Sequence, residues 1–218
     1  MAGRSHPIFA RMYERMSVVM DRAGVAEHRQ TVVAGLHGRI IEVGAGNGRM
    51  FAHYPGTVDE VLAVEPEPRL RASATEAATA AGVPVRVVDG TADALPGADG
   101  EFDAAVVALV LCTVPDQASA LAEIRRVLRP GGELRFYEHV AAERPGALRR
   151  TQRILDATVW PWLCGGCHSG RDTAAAIAEA GFRVEELRRF RFPDGGVLTP
   201  ATPHILGRAT RPSEEATR

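Results

Sequence analysis

A short apolar run that leads directly into three alternating glycines constrains this chain more than any other stretch. Residues 39–43 read Arg-Ile-Ile-Glu-Val, and Gly44, Gly46 and Gly48 follow at every second position. Glycine is required where the backbone turns with a positive φ, or where a ligand presses against the main chain. A helix-like segment over 49–54 comes next, so the glycines predict a strand-to-helix turn. Such turns are where an open α/β sheet binds a nucleotide.

Position 49 separates two classes of cofactor that use such a turn. The dinucleotide fingerprint G-x-G-x-x-G/A needs a third small residue, because the helix must pack closely on the strand. This chain has Arg49 there, and its long side chain would obstruct that packing. A nicotinamide-dependent oxidoreductase is therefore the less favoured interpretation, although a glycine-rich turn alone is a weak signal.

Apolar runs alternate with helical patterns along the rest of the chain. Strands are predicted over 39–43, 58–64, 83–88, 102–109, 133–140, 182–192 and 204–209. Helices are predicted over 26–36, 69–82, 116–128, 149–163 and 171–181, the third with Asp116 as its N-cap. This alternation predicts a parallel sheet with right-handed crossovers.

The first 37 residues predict a helical segment in front of the sheet. Apolar side chains recur at helical spacing from Ile8 to Met20. One interpretation is packing at the edge of the domain. The other is a lid over the cofactor, with Tyr13 and Met16 facing the pocket.

An acidic residue ends the second predicted strand. Glu65 lies 21 residues after Gly44. A carboxylate at that offset can accept hydrogen bonds from both hydroxyls of a ribose, and such charge-assisted bonds are stronger than neutral ones. A solvated loop acid is the alternative.

Several motifs in this order resemble a known enzyme family. They are E-x-G-x-G-x-G over 42–48, the acidic strand end at 65, G-T-A-D-A-L-P over 90–96, F-D-x-x-V over 102–106 and L-R-P-G-G over 128–132. Together they resemble class I S-adenosylmethionine (SAM) dependent methyltransferases of the ubiquinone/menaquinone-biosynthesis type. Segments on the acceptor side resemble a narrower group, the methyltransferase-like thiol methyltransferases of animals and their bacterial relatives: 109–114, 137–142, 152–156, 166–167 and 203–205. Residues 1–37 do not resemble the hydrophobic N-terminal anchor of the animal members, so no such anchor is expected.

The resemblance implies a fold and a cofactor site. The fold is one Rossmann-like class I methyltransferase domain, with a mostly parallel seven-stranded sheet, an antiparallel C-terminal hairpin at its edge and N-terminal lid helices. Its expected parts are a lid over 1–37, the domain over 38–209 with a helical insertion at about 143–169, and a flexible tail over 210–218. The residues expected to bind SAM are Tyr13, Glu42, Gly44, Ala45, Gly46, Asn47, Gly48, Glu65, Pro66, Gly90, Thr91, Ala92, Asp93, Leu109 and Val110.

His139 is the predicted catalytic base, because it follows the fifth strand and because an unperturbed imidazole, with a pKa of about 6.5, accepts protons near neutrality. Asp156 is the second candidate, either orienting His139 or contacting the acceptor; a surface helix acid is the alternative. A thiol acceptor is slightly favoured, since a thiol with a pKa of about 8.5 ionises near neutrality whereas a hydroxyl needs a stronger base. The side chains expected to line the acceptor pocket are Met16, Cys112, Trp160 and Cys167, with core packing as the alternative.

Other functions stay open at this point. They are O-, N- or C-methylation of a secondary metabolite or quinone, an NAD(P)-linked oxidoreductase, and a SAM-binding protein without catalysis. A net charge of −1 disfavours a nucleic-acid partner, so a small-molecule acceptor and a monomer or homodimer are expected. The chain shows no apolar run of about 20 residues and no secretory signal, which predicts a cytoplasmic protein.

The segment C-x-x-C-H over 164–168 matches a haem-attachment pattern and half of a zinc site. Zinc would need two further ligands, for which only His168 and His204 are loose candidates. The sequence therefore predicts no metal.

Overall fold

Seven strands form one mixed sheet in the computed structural model, which describes residues 7–194 and 199–213. Their order across the sheet is β3-β2-β1-β4-β5-β7-β6, with β1 to β5 parallel and β7 antiparallel to both neighbours. The strands are β1 Gly38–Val43, β2 Val58–Val64, β3 Val85–Val88, β4 Phe102–Ala108, β5 Leu128–His139, β6 Arg183–Arg191 and β7 Pro203–Thr210. This architecture confirms the predicted fold, including the antiparallel hairpin.

Helices cover both faces of this sheet. They are α1 Pro7–Met20, α2 Ala26–Val33, α3 Pro68–Ala78, α4 Gln117–Val127, α5 Ala147–Asp156, α6 Trp160–Leu163 and α7 Thr173–Glu179. A π-helical turn, Asp21–Val25, joins α1 to α2, and a short 3-10 turn, Phe51–His53, follows the glycines. Asp116 caps α4 as predicted, since its side chain accepts a hydrogen bond from the N–H of Ala118.

Alternate side chains of the central strands form two apolar cores. Ile41 and Val43 pack with α4 and α7 on one face, while Ile40 packs with α2 and α3 on the other. Because β1 and β4 are buried on both faces, most of their side chains are apolar; the charged exceptions are Arg39, Glu42 and Asp103. Burying each large aliphatic side chain contributes roughly 1.5–3 kcal/mol. The two cores hold the carboxyl ends of β1, β2, β4 and β5 at one edge.

Several predicted elements differ from the structure in length. The helix predicted over 49–54 is only the 3-10 turn, because Pro55 forces Tyr54 into an extended conformation. The single helix predicted over 149–163 is two helices; Pro161 lies in the first turn of α6, where its missing N–H costs nothing. Strand β5 begins at Leu128, which pairs with Phe102 ahead of a register shift.

The observed ends of the other helices and strands also differ from the predicted ones. The helices predicted to reach 36, 82 and 181 end at 33, 78 and 179. The strand predicted over 83–88 is formed only from Val85. At the C-terminus, β7 continues through Thr210, and Arg211 still donates to the backbone oxygen of Leu128. The predicted tail is therefore ordered at its start, and residues 214–218 lie outside the described part.

Candidate functional site

The glycine turn is held against β2 by main-chain hydrogen bonds. The N–H groups of Gly44 and Ala45 both donate to the carbonyl of Val64, at 2.8 and 3.0 Å. Gly44, Gly46 and Gly48 have φ values of 71°, 57° and 76°, a region that other residues seldom adopt. A Cβ on Gly44 would lie 2.6 Å from a methyl carbon of Val110. The turn is therefore as tight as the sequence predicted.

Glu65 connects this turn to the end of β2. One carboxylate oxygen accepts from the N–H of Gly46 at 2.7 Å, and the other accepts from the N–H of Glu67 at 2.9 Å. The residue is 5% exposed, and burial raises the pKa of its carboxyl to about 7. Each oxygen of a carboxylate has about two acceptor sites. Both oxygens therefore keep capacity for one more donor.

Helix α1 lies across the turn. A Cβ on Gly46 would be 3.2 Å from the ring of Tyr13, and Asn47 donates to the hydroxyl of Ser17 at 2.9 Å. Just beyond α1, Asp21 accepts from Nε of Arg49 at 2.5 Å and also pairs with Arg29. Arg49 is therefore ion-paired where a dinucleotide fingerprint needs a small residue.

Two further predicted cofactor residues lie close to this turn. Glu42 is buried and accepts a hydrogen bond from the hydroxyl of Tyr54 at 2.9 Å. Burial raises the pKa of Glu42 to about 8. Ala45 is also buried, in the core cluster beneath α2.

The loop after β3 lies at the same sheet edge as Glu65. Thr91 and Ala94 form an isolated bridge, which closes a tight turn. Gly90, Thr91 and Ala92 are half-buried while Asp93 is exposed. A Cβ on Gly90 would lie 2.8 Å from Val64.

The residues that join β2 to α3 make local contacts. The carbonyl of Pro66 accepts from Arg71 at 3.0 Å. Glu67 caps α3 by accepting from the N–H of Leu70 at 2.9 Å.

The segment after β4 is held by one buried acid. Glu138 is fully buried and accepts from the N–H groups of Val110, Leu111 and Cys112 at 2.8, 2.9 and 3.1 Å. Burial raises the pKa of Glu138 to about 7, against the effect of these three bonds. Leu109 has a positive φ of 61°, a strained conformation for a leucine. Such strain persists only where surrounding contacts impose it.

Two thiols and one imidazole meet beyond this segment. Nδ1 of His139 lies 3.8 Å from Sγ of Cys112 and 3.6 Å from Sγ of Cys167, and all three atoms are within 4.8 Å of one another. The cysteines are buried and His139 is half-buried. The pKa of Cys167 is lowered, first by the hydrogen bond from Cys112 and then by His139. The sequence named all three residues but did not place them together.

His204 supports the imidazole from the neighbouring strand. It is paired with His139 in the β5–β7 register, and the two rings meet edge-on at 4.6 Å. Nδ1 of His204 lies 2.9 Å from the carbonyl of Thr202, to which it donates. Burial lowers the pKa of His204 to about 3, so the ring is neutral.

Asp156 forms hydrogen bonds with residues 169–170, and none of its hydrogen bonds goes to His139. One carboxylate oxygen accepts from the N–H of Ser169 at 2.9 Å, and the other accepts from the N–H of Gly170 at 2.7 Å. It stands at the end of α5, where it holds the 169–170 segment in place. The hydroxyl of Ser169 also donates to Asp156, at 3.1 Å. A sequence cannot reveal this role, because the fold alone brings these donors to the carboxylate.

Gln152 is a structural residue that sequence reasoning missed. It is fully buried, accepts from the N–H of Ala142 at 2.8 Å, and lies within hydrogen-bond distance of the carbonyls of Val140, Ser169 and Pro200. It therefore joins the chain after β5 to two other loops. A lone glutamine in an amphipathic helix gives no signal of burial.

Two predicted pocket residues differ in their placement. Met16 is 39% exposed and shares a shallow surface groove with Met12 and Val19. The indole nitrogen of Trp160 is buried without a hydrogen bond of standard geometry, yet it is near enough to Cys167 to contribute to the lowered pKa of that thiol.

None of the helices in the described part of the chain combines the length and apolar character needed to cross a bilayer.

Known proteins share both the sequence pattern and the fold. Residues 41–136 match a family described as a methyltransferase domain. The chain is 33% identical to the human thiol S-methyltransferase TMT1B over 185 residues, which cover 82% of this chain and 74% of that protein. It is 35% identical to the demethylmenaquinone methyltransferase of Thermus thermophilus over 136 residues, which cover 61% of this chain and 60% of that protein.

Among solved structures, a putative methyltransferase from Bacillus halodurans superposes with a TM-score of 0.68 at 19% identity. That superposition covers 86% of this chain and 99% of the other.

Proposed function

Since the chain belongs to the class I SAM-dependent methyltransferases, we propose that it transfers the methyl group of SAM to the thiol of a small molecule. SAM supplies an activated methyl group, because its sulfur carries a positive charge. The enzyme's remaining task is to hold the acceptor sulfur in line with the methyl carbon and the leaving sulfur.

The proposed cofactor site follows the sheet edge. The turn over 44–48 receives the amino-acid half of SAM, with Tyr13 above it. Glu65 accepts hydrogen bonds from the ribose hydroxyls, and the loop over 90–93 lies against the adenine. The spare acceptor capacity of Glu65, next to the bonds it already makes to Gly46 and Glu67, supports this arrangement.

One observation carries the preference for a thiol: Glu138 and Asp156, two acids near the acceptor side, are each held by three hydrogen bonds within the protein. Glu138 accepts three N–H groups, and Asp156 accepts two N–H groups and the hydroxyl of Ser169. About one acceptor site remains on each carboxylate, so neither is available as a strong general base. A hydroxyl or carbon acceptor would need such a base, but a thiol with a pKa near ~8.5 is partly ionised without one.

In the simplest form of this reaction, His139 receives the thiol proton. A sulfur lone pair then forms the new bond to the methyl carbon, and the bond from that carbon to the SAM sulfur breaks. The electron pair returns to the SAM sulfur, which gives S-adenosylhomocysteine and a methyl thioether. The thiol relatives, at 33% identity over most of the chain, support the same acceptor class.

C-methylation of a quinol is the second candidate, because the Thermus thermophilus relative is named a demethylmenaquinone methyltransferase. A quinol is a phenol with a pKa of about 10. It would therefore depend on a base more strongly than a thiol does.

A panel of alkyl thiols, phenols, amines and a demethylmenaquinol separates these candidates. S-adenosylhomocysteine is quantified in the presence of purified enzyme and SAM. We expect turnover with thiols and a loss of at least about 100-fold in the His139→Ala variant, with His168→Ala as the matched control. Turnover only with the quinol would overturn the thiol proposal, and tight SAM binding without any turnover would overturn both.

A further inference from the structure

We propose that Cys112, His139 and Cys167 bind a zinc ion, and that the fourth position of this ion takes the sulfur of the acceptor. The identity of the fourth ligand rests on the proposed function. The metal site itself rests only on the three side chains and their surroundings.

The spacing of the three donor atoms fits a tetrahedral ion. Zinc binds sulfur at about 2.3 Å and imidazole nitrogen at about 2.0–2.1 Å, so two such ligands lie about 3.6 Å apart. Nδ1 of His139 is 3.6 Å from Cys167 and 3.8 Å from Cys112. The three atoms are also mutually within 4.8 Å. Only small side-chain adjustments would bring them around one ion.

Backbone hydrogen bonds fix the positions of both cysteines. The N–H of Cys112 donates to Glu138 at 3.1 Å, and its carbonyl accepts from the N–H of His168 at 2.7 Å. This second bond ties the turn that carries Cys167 directly to Cys112. The N–H of Cys167 itself donates to the carbonyl of Cys164 at 3.1 Å. Metal sites depend on such outer contacts to orient their ligands.

The chemistry of the donors selects the ion. Two thiolates and one imidazole suit zinc, whereas magnesium and calcium prefer oxygen ligands. Three protein ligands with one open position are also the pattern of catalytic rather than structural zinc sites. His204 packs edge-on against the ring of His139 at 4.6 Å and limits its rotation.

The open position gives the acceptor a second way to lose its proton. A thiol that binds zinc is deprotonated, and its proton passes to solvent. The bound sulfur then attacks the methyl carbon, while the electron pair of the broken bond returns to the SAM sulfur. Two protein thiolates, zinc and the acceptor thiolate together carry one negative charge, which is opposite in sign to the sulfonium. In this arrangement His139 is a ligand rather than the proton acceptor.

Metal binding can be measured without turnover. The purified chain is stripped with a chelator and titrated with cobalt(II) as a spectroscopic probe, then with zinc against a chromophoric chelator. We expect one equivalent of metal and a thiolate-to-cobalt charge-transfer band. Cys112→Ser, Cys167→Ser and His139→Ala should each weaken zinc binding by on the order of 100-fold or more.

Two neighbouring residues provide matched controls. Cys164 and His168 lie on the same turn but outside the cluster, so Cys164→Ser and His168→Ala should keep the band and the affinity. Zinc should also raise the melting temperature of the unmodified chain, a readout that remains if a cysteine variant fails to fold. Absence of stoichiometric metal in the unmodified chain, or equal losses in Cys164→Ser and Cys167→Ser, would overturn the site.

Experiments with an added acceptor thiol separate the proposed zinc site from the proposed function. Adding a methylatable thiol should shift the cobalt spectrum, and stripping zinc should lower thiol methylation. Thiol methylation that is indifferent to stripping would overturn the assignment of the acceptor sulfur as the fourth ligand and leave the proposed function standing. Stoichiometric zinc in a chain that methylates no thiol would overturn the function and the fourth-ligand assignment, but not the site.

Discussion

Replacing Glu65 by glutamine tests the proposed cofactor site most directly. In the structure its two oxygens already accept from Gly46 and Glu67, at 2.7 and 2.9 Å. Glutamine keeps one acceptor oxygen but turns a donor toward the other N–H. A hydrogen bond to a charged group contributes about 1.5–3 kcal/mol. Loss of one such bond to the ribose weakens binding of S-adenosylhomocysteine by about 10- to 150-fold.

The pH dependence of the same equilibrium gives a second, independent test. Burial raises the pKa of Glu65 to about 7 in the unliganded chain. The ribose hydroxyls donate to the ionised form, so binding must release the proton that Glu65 carries at lower pH. Affinity should therefore rise with pH up to about 7 and then level off, by at most about tenfold per unit. The Glu65→Gln variant should lose this slope.

Isothermal titration calorimetry between pH 5.5 and 8 measures both quantities. Repeating each titration in buffers of different ionisation enthalpy counts the proton released. Glu76→Gln, which alters an exposed carboxyl on α3, is the matched control and should bind like the unmodified chain. If Glu65→Gln retains full affinity, or if its pH slope persists unchanged, the ribose assignment is wrong.

Three further predictions concern stability, each measured by urea unfolding of the unliganded chain. Glu138→Ala should destabilise by at least about 3 kcal/mol, because it leaves three buried N–H groups unpaired; a loss below about 1 kcal/mol would contradict this. Gly48→Ala should cost more than Gly46→Ala, since its Cβ would lie 2.7 Å from Phe51 instead of 3.2 Å from Tyr13; equal costs would refute the packing argument. Burial raises the pKa of Glu42 to about 8, so the folded state holds this proton more tightly than the unfolded state. Stability should then fall as pH rises from about 4.5 to 8, and a Glu42→Gln variant with the same fall would exclude Glu42 as the cause.

The sequence predicted the sheet and the cofactor turn well, because both depend on local patterns. Alternating apolar runs specify strands, and glycines at every second position specify a backbone that only glycine adopts easily. The offset from Gly44 to Glu65 reflects the length of one crossover between neighbouring parallel strands. That offset is enough to predict that Glu65 lies beside the turn, and the hydrogen bond to Gly46 confirms the proximity.

The acceptor side was harder to predict because its contacts join distant parts of the chain. Glu138 carries no signal in the sequence of its role, since it binds three N–H groups located 26 to 28 residues earlier. Asp156 has the same appearance in the sequence as a catalytic acid, but in the fold it accepts from two backbone N–H groups and the hydroxyl of Ser169. Most of the donors to Glu138 and Asp156 are main-chain N–H groups, which every residue except proline has. No residue type marks where they will be left unpaired.

The same reasoning explains why the sequence missed the proposed metal site while naming all of its ligands. The pattern C-x-x-C-H draws attention to Cys164 and His168, which are local neighbours of Cys167. The fold instead brings Cys167 to Cys112 and His139, because the N–H of His168 bonds the carbonyl of Cys112. This backbone hydrogen bond joins distant parts of the chain. It holds Cys167 beside Cys112, although Cys164 is the nearer cysteine in the sequence. If Cys164→Ser and Cys167→Ser differ in metal affinity as proposed, then the contacts made by the fold, and not the C-x-x-C spacing, select Cys167 as the ligand.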